Sequence, residues 1–409
     1  MIARVDPRML IVLVLLAAAH AACATVPPPV RPAADAAPHD PGERAAAALA
    51  RGQALIGRGE MSGATVALRE ALALEPGLTA ARTSLGLALY ALGDVEGAVE
   101  ELRAAVARDP EAVGAHALLA AARLSRQEWT AARAELEDLT RRHPERADAF
   151  YSLGLARYGN RDLAGAAEAY RAAVALERNH HDARYNLALV LKLAGRETEA
   201  TPEFLAAAEA GVGRAQYFAG VAHAEGLGVP SSLSTAIRWW MGAAERGVAP
   251  AQEALASLRQ VALGRTRRPV AERQAAEQAF RDYRVGLWSA APDVTREGDE
   301  SAGLALVRLR RPEAVGVLIR EAAALDEAAQ EQLEVLYEHG LAGALAPHDT
   351  RILAWFQTAA AEGLTRPRIA LARVYGRGLG VPRDVPRAVA LLRATPHEDA
   401  RRLLQELAP

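Results

Sequence analysis

Residues 79–112 read TAARTSLGLALYALGDVEGAVEELRAAVARDPEA, and the fold is decided by this stretch. Leu85, Leu89 and Leu92 recur at helical spacing, Gly93-Asp94 interrupts the pattern and offers an N-cap, and Ala98, Leu102 and Ala105 stripe a second helix that Pro110 ends. The stretch is one helical hairpin. A single hairpin cannot bury its own apolar face, so it requires neighbours.

Those neighbours occur in register at a period of 34 residues, starting at Ala45, Thr79, Val113, Ala147 and His181. The eighth position is small each time, as Gly52, Gly86, Ala120, Gly154 and Ala188, which lets two helix backbones approach. The twentieth is always alanine: Ala64, Ala98, Ala132, Ala166 and Ala200. The twenty-fourth is large, as Leu68, Leu102, Leu136, Tyr170 and Phe204, and the thirty-second is Pro76, Pro110 and Pro144 before it drifts to Arg178 and Val212. Residues 45–214 therefore resemble five tetratricopeptide repeats. The resemblance implies an all-α, right-handed α-solenoid of helical hairpins.

After Ala207 the spacing changes. Residues 215–247, AQYFAGVAHAEGLGVPSSLSTAIRWWMGAAERG, are similar to a Sel1-like repeat, with Gly226, Gly228 and Val229 in the inter-helix loop. Ala215-Gln216 returns as Ala251-Gln252, but that copy decays. A better one runs from Ala329 through Tyr337, Gly340, Trp355, Phe356, Ala359, Ala360 and Gly363, with an extra loop residue; another follows with Tyr375, GRGLGVPRD at 376–384 and Ala388. The chain thus divides into five tetratricopeptide repeats (45–214), one Sel1-like repeat (215–250), degenerate helical repeats (251–328), and two Sel1-like repeats with a capping helix from His397 to Leu407 (329–409). Helical patterns fall near 269–286, 300–310 and 312–325, and 287–300 is polar and turn-rich. Residues 251–328 either continue one superhelix or form a hinge between two arms.

The first 23 residues read as an address. Arg4 and Arg8 form a positive n-region, Met9–Ala19 is an apolar stretch too short for a typical span, and Ala21-Ala22 precede Cys23. This resembles a bacterial lipoprotein signal peptide, with the lipid expected on Cys23. His20 stands where that signal usually has an aliphatic residue, which leaves ordinary cleavage after Ala21 or nearby as the alternative. Ala24 after the cysteine implies the outer membrane, on its periplasmic face; without the lipid the expected place is the periplasm. Residues 24–42 hold six prolines and read as a semi-rigid tether.

Composition excludes several classes of chemistry. A chain of 409 residues with 51% hydrophobic residues and a net charge of −2 has ample core-forming capacity and no bulk charge that points to nucleic acid. Cys23 is the sole cysteine, so neither disulfides nor thiolate metal sites are expected. Of 48 basic residues only Lys192 is lysine, and it lies mid-helix without a glycine-rich loop before it, which removes a P-loop and a Schiff base. Asn179-His180-His181-Asp182 is the tightest polar cluster, yet it falls at a repeat junction, where polar loop residues belong. Glu100, Glu101, Glu135 and Glu137 read as solvated helix faces. No enzyme, metal site or cofactor is expected.

In the tetratricopeptide family the concave face is lined mainly from positions 2, 5, 9, 12 and 13 of the first helix. Mapped onto this chain, those positions place Tyr90, Tyr151, Leu155, Tyr158, Tyr185, Leu189 and Lys192 in a partner-binding groove, with Asn186 beside them at position 6. Tyrosines, leucines and one cation suit an extended peptide or a partner helix, the alternative being that some rings pack between repeats. The family's lysine- and asparagine-rich carboxylate clamp and its asparagine ladder are both missing at these positions. The resemblance to repeat lipoproteins of exopolysaccharide export and pilus assembly implies a non-enzymatic envelope scaffold, whose partners are other envelope proteins or an extended peptide and whose membrane contact is the lipid. A periplasmic peptide-binding or regulatory module that modulates an envelope enzyme is the alternative.

Overall fold

A computed structural model describes residues 40–407, which hold twenty-one α-helices and one 3-10 turn. The signal peptide, Cys23 and most of the 24–42 tether lie outside the described residues; the first helix begins at Pro41, within the stretch read as tether. The chain is an all-α solenoid of helical hairpins, divided between Ala210 and Gly211 into two compact units.

In the first unit ten helices, from Pro41–Gly57 to Glu197–Glu209, pair as five hairpins that follow the 34-residue register. The eighth and twenty-fourth positions meet inside the three hairpins whose eighth residue is glycine, as Gly52 with Leu68, Gly86 with Leu102 and Gly154 with Tyr170. A methyl group on Gly52 would sit 2.6 Å from Leu68 Cγ and one on Gly86 2.5 Å from Leu102 Cγ, so the large side chain lies directly on the small residue's backbone. Leu68, Leu85, Leu102, Leu119, Leu136 and Leu139 are almost fully buried, each contributing about 1.5–3 kcal/mol relative to exposure.

The turn between the two helices of each hairpin adopts positive φ at one repeat position, occupied by Gly59, Gly93, Gln127, Arg161 and Gly195. Glycine enters this left-handed region without a steric penalty, whereas a side chain is crowded against its own backbone. The next residue caps the second helix only where it is aspartate. Asp94 accepts from Gly97 N at 2.9 Å and Asp162 from Gly165 N at 2.9 Å. Glu60 and Glu128 at the equivalent position make no side-chain cap.

The second unit begins with the hairpin Gly213–Glu225 and Leu233–Glu245. Trp240 is buried over Gly220 and donates its indole N–H to Tyr217 O at 3.2 Å. The inter-helix loop is closed by Ser232 N donating to His223 O at 2.8 Å, and the same bond recurs as Asp384 N to Tyr375 O and as His348 N to Tyr337 O. The span in the last case is eleven residues rather than nine, so the middle loop is longer by two residues and not by one. Its Tyr337 hydroxyl donates to Leu379 O at 2.8 Å, joining it to the loop of the following hairpin.

Residues 251–328 supply helices Ala249–Ala262, Val270–Gly286, Ala302–Arg308 and Ala314–Ala323. Phe280, Tyr283, Leu306 and Val317 share one core with Trp240 and Met241, and Val307 and Leu325 also border the following core of Leu333, Trp355 and Phe356. Packing is continuous across this stretch within the unit. Glu321 is fully buried, accepting from Ser301 Oγ at 2.6 Å and Gly303 N at 2.9 Å; burial lifts its pKa above the usual glutamate range. A longer-range tie joins Arg259 to Glu362 through two hydrogen bonds of 2.8 and 2.6 Å, with both side chains largely buried. Arg259 also donates to Ala323 O, Gln260 to Glu362 O and Arg265 to Gly363 O. The terminal helix Glu398–Leu407 buries Ala400 and Leu403 and sets Leu407 against Gly376.

Two stability outcomes are expected. Gln127→Gly and Arg161→Gly, by relieving left-handed backbone strain, each raise the stability of the first unit by roughly 1 kcal/mol, and Gly93→Ala lowers it by about as much, read from urea unfolding followed by circular dichroism. Glu362→Ala leaves Arg259 buried without its charge partner and costs about 3–5 kcal/mol, whereas Arg259→Met combined with Glu362→Leu recovers most of that loss.

Candidate protein-binding surface

Position 5 of the first helix carries tyrosine only in the repeats whose twenty-fourth position is aromatic. Tyr151 faces Tyr170 with ring centroids 5.9 Å apart, and Tyr185 faces Phe204 at 6.1 Å. Both position-5 rings are interior: Tyr151 is 2% exposed and Tyr185 9%. Tyr151 also packs on the His180 ring at 4.7 Å, and its hydroxyl accepts from Asn186 Nδ2 at 3.3 Å. These two tyrosines fill the space between helices and present no ring face to a ligand, as in the alternative weighed from sequence. The signal that identifies them was present in the aromatic residues at positions 5 and 24 of the same repeat.

Six of the groove residues remain half-buried: Tyr90, Leu155, Tyr158, Asn186, Leu189 and Lys192. Leu155 and Leu189 occupy position 9, and Tyr158 and Lys192 position 12, of consecutive repeats. The Lys192 ammonium lies 3.0 Å from Glu197 Oε1, so its charge is locally balanced rather than offered alone. What remains accessible is a strip of two leucines and a tyrosine with a paired cation at its end. Such a surface suits apolar side chains of a peptide or helix, with the phenol hydroxyl available for a backbone carbonyl.

His180 has a structural part in the polar cluster at 179–182. Its Nδ1 accepts from Ala183 N at 3.3 Å and so caps the helix His181–Leu193, while its ring covers Tyr151.

Of the acidic residues read as solvated faces, Glu100 is exposed, whereas Glu101, Glu135 and Glu137 are engaged within and between repeats. Arg82 donates to Glu101 at 2.7 Å, His116 Nδ1 meets Glu135 at 2.8 Å and Arg184 donates to Glu203 at 2.8 Å, each pair linking positions 4 and 23 of one repeat. Glu135 takes Arg123 as well at 2.7 Å, and Glu137 takes Arg157 at 3.2 Å. In the first and fourth repeats the same two positions are Ala48 with Ala67 and Phe150 with Ala169. Positions 4 and 23 are therefore polar together or apolar together, a pairing that the sequence register already displays. Among the described residues no helix is long and apolar enough to cross a membrane.

A tetratricopeptide repeat family model matches residues 49–113, 83–144, 117–179 and 151–215, and a Sel1 repeat model matches 213–248 and 368–394. The middle hairpin, with its lengthened loop, falls outside the Sel1 matches. No curated protein matches the chain. Among solved structures, MamA from residue 41 onward of Desulfovibrio magneticus RS-1 is 26% identical, covering 41% of this chain and 95% of that one at a TM-score of 0.40. The pilF protein of Pseudomonas aeruginosa is 22% identical, covering 53% of this chain and 99% of that one at a TM-score of 0.46.

Substitutions separate the interior rings from the surface strip. Tyr151→Ala empties a packed site and is expected to cost the first unit about 3–5 kcal/mol. Tyr158→Ala, at a half-exposed site, should cost less than about 1 kcal/mol in the same denaturant titration.

Proposed function

This chain carries tetratricopeptide and Sel1 repeats, which mediate protein–protein contacts, and from that premise we propose that it is a non-enzymatic scaffold of the bacterial cell envelope. In this reading it is held on the periplasmic face of the outer membrane by a lipid on Cys23 and assists assembly of an export complex of the exopolysaccharide or pilus type. The observation that carries the interaction surface is the half-exposed strip of Leu155, Tyr158 and Leu189, large apolar groups at repeat positions that the interior does not consume. The address rests on the sequence alone: Arg4 and Arg8, the apolar stretch Met9–Ala19, and Ala21-Ala22 before a sole cysteine. Several acyl chains, each methylene contributing about 0.8 kcal/mol, would anchor the protein stably.

The test is co-purification of a C-terminally tagged chain from membranes, beside Cys23→Ala and Leu155→Ala/Tyr158→Ala forms. The wild-type protein is expected to bring down an outer-membrane export complex, the cysteine variant to leave the membrane fraction, and the strip variant to stay anchored but lose its partner. Recovery of only a soluble periplasmic enzyme or peptide, regardless of anchoring, would replace the scaffold with a regulatory module.

A further inference from the structure

The second unit contains an open cleft of about 560 Å³ between helices Thr350–Ala361, Thr365–Arg377 and Val385–Arg393. Its walls combine Leu371, Leu391 and several alanines with Gln357, Arg368 and Arg387, and no carboxylate lines it. The other arginines of helix Thr365–Arg377 are matched with acids. Arg366 pairs with Glu331, Arg373 with Glu334 and Glu338, and Arg377 with Glu406. Arg368 instead donates to Ala360 O and Ala394 O, the carbonyls at two helix ends, and so neutralises the negative helix termini that face the cleft. Arg387 has no acid partner among the described residues; it is exposed and stands 4.2 Å over the Tyr375 ring, which orients its guanidinium and leaves its donors to solvent. Gln357 Nε2 is turned to the Tyr375 hydroxyl at 3.3 Å, so the amide oxygen is the end left for a ligand N–H.

We infer that this cleft docks an acidic peptide segment of a partner protein, its carboxylate on Arg387 and Arg368 and a neighbouring aliphatic side chain on Leu371 and Leu391. Charge complementarity selects the acid, the alanine and leucine walls select the aliphatic neighbour, and Gln357 supplies an acceptor for the peptide backbone. The inference deepens the scaffold reading by adding a second surface, and it rests on that reading only in taking a protein as the partner.

The probe is the doubly capped tripeptide acetyl-Leu-Glu-Leu-amide, titrated into the purified full-length chain while the arginine side-chain N–H resonances are followed by NMR, with acetyl-Leu-Gln-Leu-amide, acetate and inorganic phosphate as controls. The Glu peptide is expected to shift the Arg387 and Arg368 signals saturably, with a dissociation constant on the order of 1 mM for so small a ligand. The Gln peptide should bind at least about tenfold more weakly, and Arg387→Gln, an exposed substitution, should abolish saturation of the Arg368 signal without lowering the melting temperature. No shift with the Glu peptide, equal shifts with the Gln peptide, or equal binding by acetate or phosphate alone would each overturn the inference. Because the measurement needs no membrane or envelope complex, failure of the export-scaffold reading would leave its outcome unchanged.

Discussion

Close approach of two helices at a single glycine is the constraint on which the hairpins at Gly52, Gly86, Gly154 and Gly220 depend. Where Gly52 faces Leu68, Gly86 faces Leu102 and Gly154 faces Tyr170, there is no room for one more carbon. The contact sets the spacing of the hairpin, and the spacing decides which further positions meet. Position 5 then lies against position 24, and position 4 against position 23, so residues distant in sequence within a repeat are chosen as pairs. Tyr151 with Tyr170 and Arg82 with Glu101 are two consequences of one geometry. The second unit applies the same rule with a larger partner, Trp240 on Gly220.

Much of the fold was legible because it is written in repetition. The helix boundaries, the turn at Gly93 and the cap at Asp94 are local features, and local features are what periodicity exposes. Burial of Tyr151 and Tyr185 was harder to read because the family's groove positions describe where a side chain starts, whereas a tyrosine beside an aromatic at position 24 turns inward to cover it. The engagement of Glu101 and Glu135 was missed for a related reason. A charge run on a helix looks solvated until the facing helix is known to carry Arg82 or His116. The tie between Arg259 and Glu362 was beyond any reading by period, since more than one hundred residues, most of them degenerate repeat, separate its members.

The two units differ in how they hold together. In the first, almost every described contact is within a hairpin or between consecutive ones, the pattern of a one-dimensional stack. In the second, Arg259, Gln260 and Arg265 reach the turn at 362–363, and Arg320 reaches Glu245. Those bonds couple hairpins that are not neighbours in the chain. The first unit can therefore lose or gain stability one repeat at a time, while the second is bound more nearly as one cooperative piece.

The loop-closing hydrogen bond of the Sel1-type hairpins is the same whether eight or ten residues intervene, as Tyr337 and His348 show beside His223 and Ser232. The bond sits at the base of the loop, and in the longer loop Leu341 and Leu345 pack against the core while Ala342 and Gly343 between them stand exposed. Such a turn is a natural growth point for the chain. A short foreign sequence, such as an epitope, could be grafted between the exposed Ala342 and Gly343 while Leu341 and Leu345 keep their places on the core, and evolution has the same freedom there to lengthen the molecule without redesigning its interior.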